Sequence, residues 1–253
     1  MDNILNKNQI EAIKECGKIL SQAMDEVEKS IAPNLTAAEI DSIAESAILK
    51  GGAKPSFKNY EVHGGGIYPS TSCISINDEI VHGLPTSDKI LREGDIVSVD
   101  LGANKGGVHT DMARTFAVGK VSSQAQKLID MTRRCLEVGL SSVRAGAKIG
   151  QIGHNIQKTA ESEGFGVVRD LVGHGIGPEV HMEPSVPNYG RGNEGPVIVE
   201  GMALAIEPML TTGSHRIKVA PDGWTILTTD GSLAAHFEHT VVVEDGKPVV
   251  VTR

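Results

Sequence analysis

A repeat constrains the fold of this sequence most strongly, because the chain returns to the same plan after 112 residues. Each half begins with two helical patterns, in which apolar residues recur at intervals of three and four positions. Each half then continues with a His-Gly step, at His82 in the first half and at His174 in the second. A period of this length is too long for a solenoid, so it predicts two fused halves of related structure. The matched helical positions are Ile31 and Val143, Ile40 and Ile152, and Gly52 and Gly164.

Each half also contains two strand-like segments that carry one carboxylate each. The segments EGDIVSVD at 93–100 and EGMALAIE at 200–207 both open with Glu-Gly and close on a carboxylate, Asp100 or Glu207. A second strand in each half is predicted to begin with its carboxylate, Asp111 or Glu238. An unpaired charge at the end of an apolar strand is costly, so a metal ion or another cation is expected beside it. We therefore predict that the four carboxylates meet where the halves join.

The helical patterns of the first half have recognisable ends. Apolar residues from Ile10 to Ile31 follow the spacing of an amphipathic helix. Thr36 and Glu39 form a capping-box pattern that should start a second helix running towards Gly51.

Together, these patterns predict one domain over residues 1–253 with pseudo-twofold related halves at approximately 10–120 and 125–250. Each half is expected to contribute a curved antiparallel sheet backed by helices. A cleft between such halves is a natural place for a ligand.

Composition excludes several classes of partner. The formal net charge is −8 and the pI is about 5.6, so the chain has no basic footprint for a nucleic acid. The three cysteines are odd in number and widely spaced, which favours a reducing compartment over a disulfide framework. Residues 1–9 lack the pattern of a secretory signal, and no run approaches the roughly 20 apolar residues that span a bilayer. A cytoplasmic protein without a membrane or nucleic-acid partner is expected.

The candidate metal ligands are Asp100, Asp111, His174, Glu207 and Glu238. Carboxylates with one imidazole suit manganese, iron(II), cobalt or zinc rather than thiophilic metals. Five ligands exceed what a single zinc ion needs, and bridging carboxylates can hold two divalent ions about 3.5–4 Å apart around a shared water. This arrangement serves hydrolysis.

His109 is a rival ligand that spacing alone leaves open. It lies two residues before Asp111, so both side chains would face the same side of an extended strand.

Five short stretches around these residues carry a resemblance to a known family. The chain resembles the type I methionine aminopeptidases, which have the α+β pita-bread fold, from its first helix to its last strand. The resemblance implies a metal-dependent hydrolase that removes the initiator methionine from nascent proteins and peptides. The stretches are CISIN at 73–77, VHGLP at 81–85, GHGIG at 173–177, AIEPM at 205–209 and EHT at 238–240.

The resemblance also implies a role for each ligand. Asp111 and Glu238 would bridge two metal ions, Asp100 would hold one of them, and His174 with Glu207 would hold the other. Cobalt, manganese, iron(II), zinc and nickel are all possible ions. A metal-bridging hydroxide would be the nucleophile, and Glu207 would shuttle protons.

Five further residues are assigned to the substrate by the same resemblance. His82 and His181 would stabilise the scissile carbonyl or the developing tetrahedral centre. Tyr68, Cys73 and Trp224 would form the apolar pocket for the methionine side chain, and such polarisable surroundings suit a thioether.

The sequence departs from the family pattern around this pocket. The segment GGGIYP at 64–69 replaces the more usual Gly-Tyr-x-Gly-Phe/Tyr-Pro segment, and Val180 stands where Phe is frequent. Pro178 and Met182 replace residues that are often charged. These changes affect the expected pocket shape and the tolerance for the residue after methionine.

Two alternatives remain open from the sequence. A proline-directed aminopeptidase or dipeptidase of the same fold could share all five ligands, and a non-catalytic pita-bread module could bind partners. The family likeness favours a monomer, and the substrate implies transient proximity to the ribosome.

Overall fold

The computed structural model describes residues 4–62 and 66–253. Gly64 and Gly65 belong to the glycine-rich segment that differs from the family pattern, and they lie outside the described residues. Within the described ranges the helices are α1 (Lys7–Ser30), α2 (Ala37–Lys50), α3 (Ser123–Ser142) and α4 (Gly150–Glu161).

The strands divide between the two halves of the chain. Those of the first half are β1 (Lys54–Pro55), β2 (Glu61–Val62), β3 (Gly66–Ile67), β4 (Ser72–Ile76), β5 (Glu79–Val81), β6 (Ile96–Lys105) and β7 (Val108–Ala117). Those of the second half are β8 (Gly166–Val167), β9 (Gly173–Gly175), β10 (Met182–Val186), β11 (Ala203–Ile206), β12 (Met209–Thr211), β13 (Ile217–Val219), β14 (Ile226–Thr228), β15 (Ala234–His236), β16 (Glu238–Glu244) and β17 (Lys247–Val250).

Both predicted helices of the first half are confirmed, with small shifts at their ends. The first begins at Lys7, because the Asn6 side chain accepts a hydrogen bond from the Gln9 backbone in a capping box. The second begins after Thr36, whose hydroxyl accepts from the Glu39 backbone as the capping-box pattern predicted.

Strands of both halves join in one continuous antiparallel sheet. Its path through the described residues is β1-β6-β7-β16-β11-β9-β10, with β4 also paired to β6 and β17 paired to β16. The halves meet at the pairing of β7 with β16, where Glu238 lies opposite Ala113. They therefore contribute strands to a shared sheet instead of one sheet each, because this long-range pairing satisfies backbone groups that two separate edges would leave open.

Each half packs its helices against its own part of this sheet. Leu20 on α1 and Leu101 on β6 are fully buried in one apolar cluster. Leu136 on α3 and Leu204 on β11 are buried in a second cluster. Burying one such side chain contributes about 1.5–3 kcal/mol, so the two clusters hold the shared sheet rigidly from the helical side.

The strand positions of the four carboxylates agree with the prediction in only one half. Glu207 directly follows β11 and Glu238 begins β16, as predicted. Asp100 was predicted to close its strand and Asp111 to begin its strand, and both predictions are wrong, since each lies inside a ten-residue strand. The two strands extend to a hairpin turn at Gly106 and Gly107, which both have positive φ angles.

None of the helices described over residues 4–62 and 66–253 is long and apolar enough to cross a membrane.

Candidate metal centre

The β6–β7 hairpin supplies the two carboxylates of the first half. Asp100 lies opposite Ala113 and Asp111 lies opposite Gly102, so the two acids are diagonal neighbours on one face of the hairpin. The Thr240 hydroxyl fixes the backbone of Asp111 from across the junction between the halves. It accepts a hydrogen bond from the Asp111 N–H and donates one to the Asp111 carbonyl, both at 2.8 Å.

The second half places its carboxylates at the ends of adjacent strands. In the β11–β16 pair, Ile206 lies opposite His239, so Glu207 and Glu238 lie next to each other at the same end of the two strands. The Asn188 amide donates to the Glu207 carbonyl at 3.0 Å and fixes the backbone as it leaves β11.

His174 joins this group from β9, where it lies opposite Ala205. Its Nε2 is 3.5 Å from Glu207 Oε1. Its Nδ1 is 2.9 Å from the carbonyl of Gly175, a contact in which only a protonated Nδ1 can donate. Nε2 therefore carries the lone pair that a metal ion needs.

The electrostatics of the four acids fit a site for divalent cations. Burial raises the pKa of Asp100 to about 7. Burial, followed by the charges of neighbouring carboxylates, raises the pKa values of Asp111, Glu207 and Glu238 well above their ordinary range. Crowded buried carboxylates of this kind disfavour their own ionisation unless a cation neutralises them.

Orphaned oxygen atoms also support cation binding. Asp100 Oδ1, Asp111 Oδ1 and Glu238 Oε1 are buried and have no hydrogen-bond partner among the described residues. Possible ligand atoms lie within 4.8 Å of one another in two groups, one of which contains Asp111, His174 and Glu238. The residues present therefore fit a divalent metal ion.

The second group contains a residue that the sequence analysis missed. It consists of Glu207, His236 and Glu238, so the two groups share Glu238. Burial lowers the pKa of His236 to about 3, which keeps its ring neutral. The available signal was spacing, since His236 lies two residues before Glu238 as His109 does before Asp111.

His109, the rival ligand, belongs to neither group. Its Nδ1 lies 2.8 Å from the Ser56 hydroxyl, and its backbone N–H donates to the Gly177 carbonyl at 2.7 Å.

A cavity of about 530 Å³ lies beside the carboxylates. His82 and His181, the two accessory histidines, line its walls. His82 has a positive φ of 58° and precedes Gly83, where a Cβ would collide with the Ile74 carbonyl. His181 Nδ1 is 3.0 Å from the Tyr60 hydroxyl, and its ring packs edge-on against His174 with 4.5 Å between centroids. The volume is in the range of small-ligand sites.

The predicted methionine-pocket residues line the same cavity. Tyr68 and Trp224 pack edge to face with 5.2 Å between ring centroids. Cys73 is buried and lies directly opposite Asp100 in the β4–β6 pair, which places the apolar wall beside the acids. Val180, which stands where the family often has Phe, is buried in one apolar cluster with Tyr68 and Cys73. Phe57 and Tyr60 also line the cavity and were not predicted.

Comparison with known proteins identifies the class of protein that this fold and site define. The model of metallopeptidase family M24 matches residues 11–245. The chain belongs to this metallopeptidase family and uses divalent metal.

Within the family the chain lies among the type I methionine aminopeptidases, as the sequence motifs predicted. It is 46% identical over 249 residues to the methionine aminopeptidase of Clostridium acetobutylicum, covering 98% of each chain. The crystal structure of the methionine aminopeptidase from Thermotoga maritima is 43% identical with a TM-score of 0.95, covering 99% of this chain and 98% of that one.

A more distant structure shares the fold alone. The prolidase from Pyrococcus furiosus is 20% identical with a TM-score of 0.78, and the match covers 99% of this chain but 65% of the prolidase. The likeness confirms the predicted pita-bread fold of the α+β class.

Proposed function

We propose that this protein is an aminopeptidase that removes the initiator methionine from peptides and nascent proteins. One observation carries the proposal: four buried or partly buried carboxylates and His174 converge at a cavity whose adjoining wall is apolar and aromatic. Cations held by the acids suit hydrolysis of a peptide bond, and the apolar wall suits a thioether side chain. The similarity to methionine aminopeptidases over nearly the whole chain supports the same activity.

The metal centre in this proposal holds two divalent ions. Asp111 and Glu238 would contact both ions, Asp100 would hold one, and His174 with Glu207 would hold the other. The presence of Glu238 in both groups of possible ligands supports its shared role. Ions bound there would supply Lewis acidity and activate a water molecule for attack.

The methionine side chain would occupy the pocket formed by Tyr68, Cys73 and Trp224. Tyr68 is held in place because its hydroxyl donates to the Ser72 and Gly83 carbonyls, at 3.0 and 3.3 Å. A rigid pocket limits the loss of side-chain freedom on binding and favours one side chain over others.

His82 and His181 would donate hydrogen bonds to the substrate. The Tyr60 hydroxyl can donate to His181 Nδ1, which leaves the proton of His181 on Nε2 for donation to the scissile carbonyl. Glu207 would carry a proton from the attacking water to the leaving amine.

The cellular setting in the proposal follows from the substrate. Nascent chains carry the initiator methionine, so the protein would act in the cytoplasm with transient proximity to the ribosome. It would act as a monomer in which residues 1–253 form one domain, and light scattering on the purified protein tests the oligomeric state.

The activity is tested with peptides that begin Met-Ala, Met-Gly, Leu-Ala or Ala-Pro. Metal-free protein receives manganese, iron(II), cobalt, nickel or zinc in turn, and released amino acids are quantified. We expect metal-dependent release of methionine alone. Asp111→Asn should lower the activity by about 10³-fold, whereas the matched control Asp130→Asn, on the exposed face of α3, should keep it.

Two results would contradict the proposal. Cleavage before proline would assign the protein to the proline-directed relatives of the fold. Silence with every metal would favour a non-catalytic binding module.

A further inference from the structure

His236 is held at the metal centre by its backbone. It ends β15, two residues before Glu238. Its N–H donates to the Thr115 hydroxyl at 2.9 Å, and the same hydroxyl donates to its carbonyl at 2.8 Å. Thr115 belongs to β7 of the first half, so His236 is fixed across the junction between the halves.

The imidazole of His236 is buried without satisfying either ring nitrogen. The residue is 1% exposed, and neither Nδ1 nor Nε2 has a hydrogen-bond partner among the described residues. Nε2 lies 3.6 Å from Glu207 Oε2 and 3.8 Å from Glu238 Oε2, which is too far for a hydrogen bond. Burying polar atoms in this way is costly unless another partner binds them.

The spacing of these atoms is that of ligands around a shared ion. A tetrahedral ion with ligands at about 2.1 Å separates neighbouring ligand atoms by roughly 3.4 Å. His174 Nε2 and Glu207 Oε1 are 3.5 Å apart on the other side of the same carboxylate. Glu207 therefore lies between two imidazoles, with one of its oxygens facing each.

We propose that His236 is a further ligand of the metal centre, which binds one divalent ion through Nε2 together with Glu207 and Glu238. This inference rests on the metal site of the proposed function. It makes the two halves of the centre more unequal, because the second half would supply two imidazoles and the first half carboxylates only. The ion bound by imidazole would favour iron(II), cobalt, nickel or zinc over manganese.

The inference is tested by counting metal-bound imidazoles in the cobalt(II)-loaded protein. A histidine bound to cobalt(II) gives a strongly shifted, exchangeable ring N–H signal in proton NMR. We expect two such signals in the wild type and one in His236→Gln. Isothermal titration with cobalt(II) should show the affinity for one ion falling by at least about 10-fold in the variant.

His239→Gln is the matched control, because His239 is also near Glu238 but its Nδ1 bonds to the Thr252 hydroxyl at 2.9 Å. It should keep both signals. One shifted signal in the wild type overturns the inference, as do two signals in His236→Gln. If His236→Gln does not fold, the wild-type count and its assignment by ¹⁵N-histidine labelling still decide.

This experiment separates the inference from the proposed function. One shifted signal together with methionine release leaves the activity standing and removes His236 from the ligands. Two signals with loss of the second in His236→Gln, but no methionine release, keep His236 as a ligand and remove the activity.

Discussion

The two halves of the molecule contain the same spacing of histidine and acid and put it to different uses. His109 precedes Asp111 by two residues in the first half, and His236 precedes Glu238 by two in the second. His109 lies beside the Ser56 hydroxyl, whereas His236 faces Glu207 and Glu238. Strand alternation places two side chains on one face, but the neighbouring strands decide what they contact.

The carboxylates of the two halves also differ in their positions along the strands. Those of the first half lie inside the two long strands of one hairpin, and those of the second half lie at strand ends. Duplicated sequence patterns thus supply equal numbers of carboxylates, while local backbone geometry places them differently in each half.

The largest expected effect compares one acid from each half. Asp111→Asn and Glu238→Gln should each weaken the binding of both metal ions, because a shared anionic oxygen becomes a poorer neutral donor. We expect kcat/KM to fall by about 10³-fold in both, which corresponds to several kcal/mol of lost stabilisation. Asp100→Asn should weaken one ion only. Unchanged metal stoichiometry in either of the first two variants would argue against a shared role.

The next comparison concerns the two accessory histidines. His82→Ala in the first half and His181→Ala in the second should each lower kcat by on the order of 10²- to 10³-fold, since each removes a donor to the substrate. Metal content, measured by atomic absorption, should stay near that of the wild type. Equal loss of metal and turnover in one variant would show that its histidine belongs to the metal centre instead.

The pH dependence of metal affinity tests the raised pKa of Asp100 in the first half. Burial raises the pKa of Asp100 to about 7 in the metal-free protein, so below that pH a metal ion must displace its proton. The proton on Asp100 alone should therefore make the affinity rise by roughly 50-fold between pH 5 and pH 7. Titration calorimetry in buffers of different ionisation heat counts the protons. Asp100→Asn should release about one fewer, and an affinity independent of pH would contradict the account.

The smallest expected effect concerns the two threonines that tie the halves together. Thr240→Val leaves the Asp111 N–H and carbonyl unsatisfied, and Thr115→Val does the same to His236. Each should lower the free energy of unfolding by about 1–3 kcal/mol, as measured by urea denaturation of the metal-free protein. If the free energy of unfolding falls in only one variant, only that threonine stabilises the junction between the halves.

Much of the fold and the site could be predicted from sequence because the signals are local. The capping box at Thr36 and the apolar run before Glu207 depend on neighbouring residues, and both predictions are confirmed. The meeting of the acids followed from the repeat.

The remaining features depend on contacts between distant parts of the chain. The shared sheet arises from the pairing of β7 with β16, which no local pattern specifies. The strand of Asp100 continues past its charge because the turn comes later, at Gly106 and Gly107. His236 was missed because a histidine after two alanines resembles a core residue until Glu207 is placed beside it.

The most direct test of the central claim is anomalous diffraction from crystals of the cobalt(II)-loaded protein. We expect two peaks about 3.5–4 Å apart at the junction of the halves, both in contact with Asp111 and Glu238. A single peak, or two peaks that share no carboxylate, would contradict it.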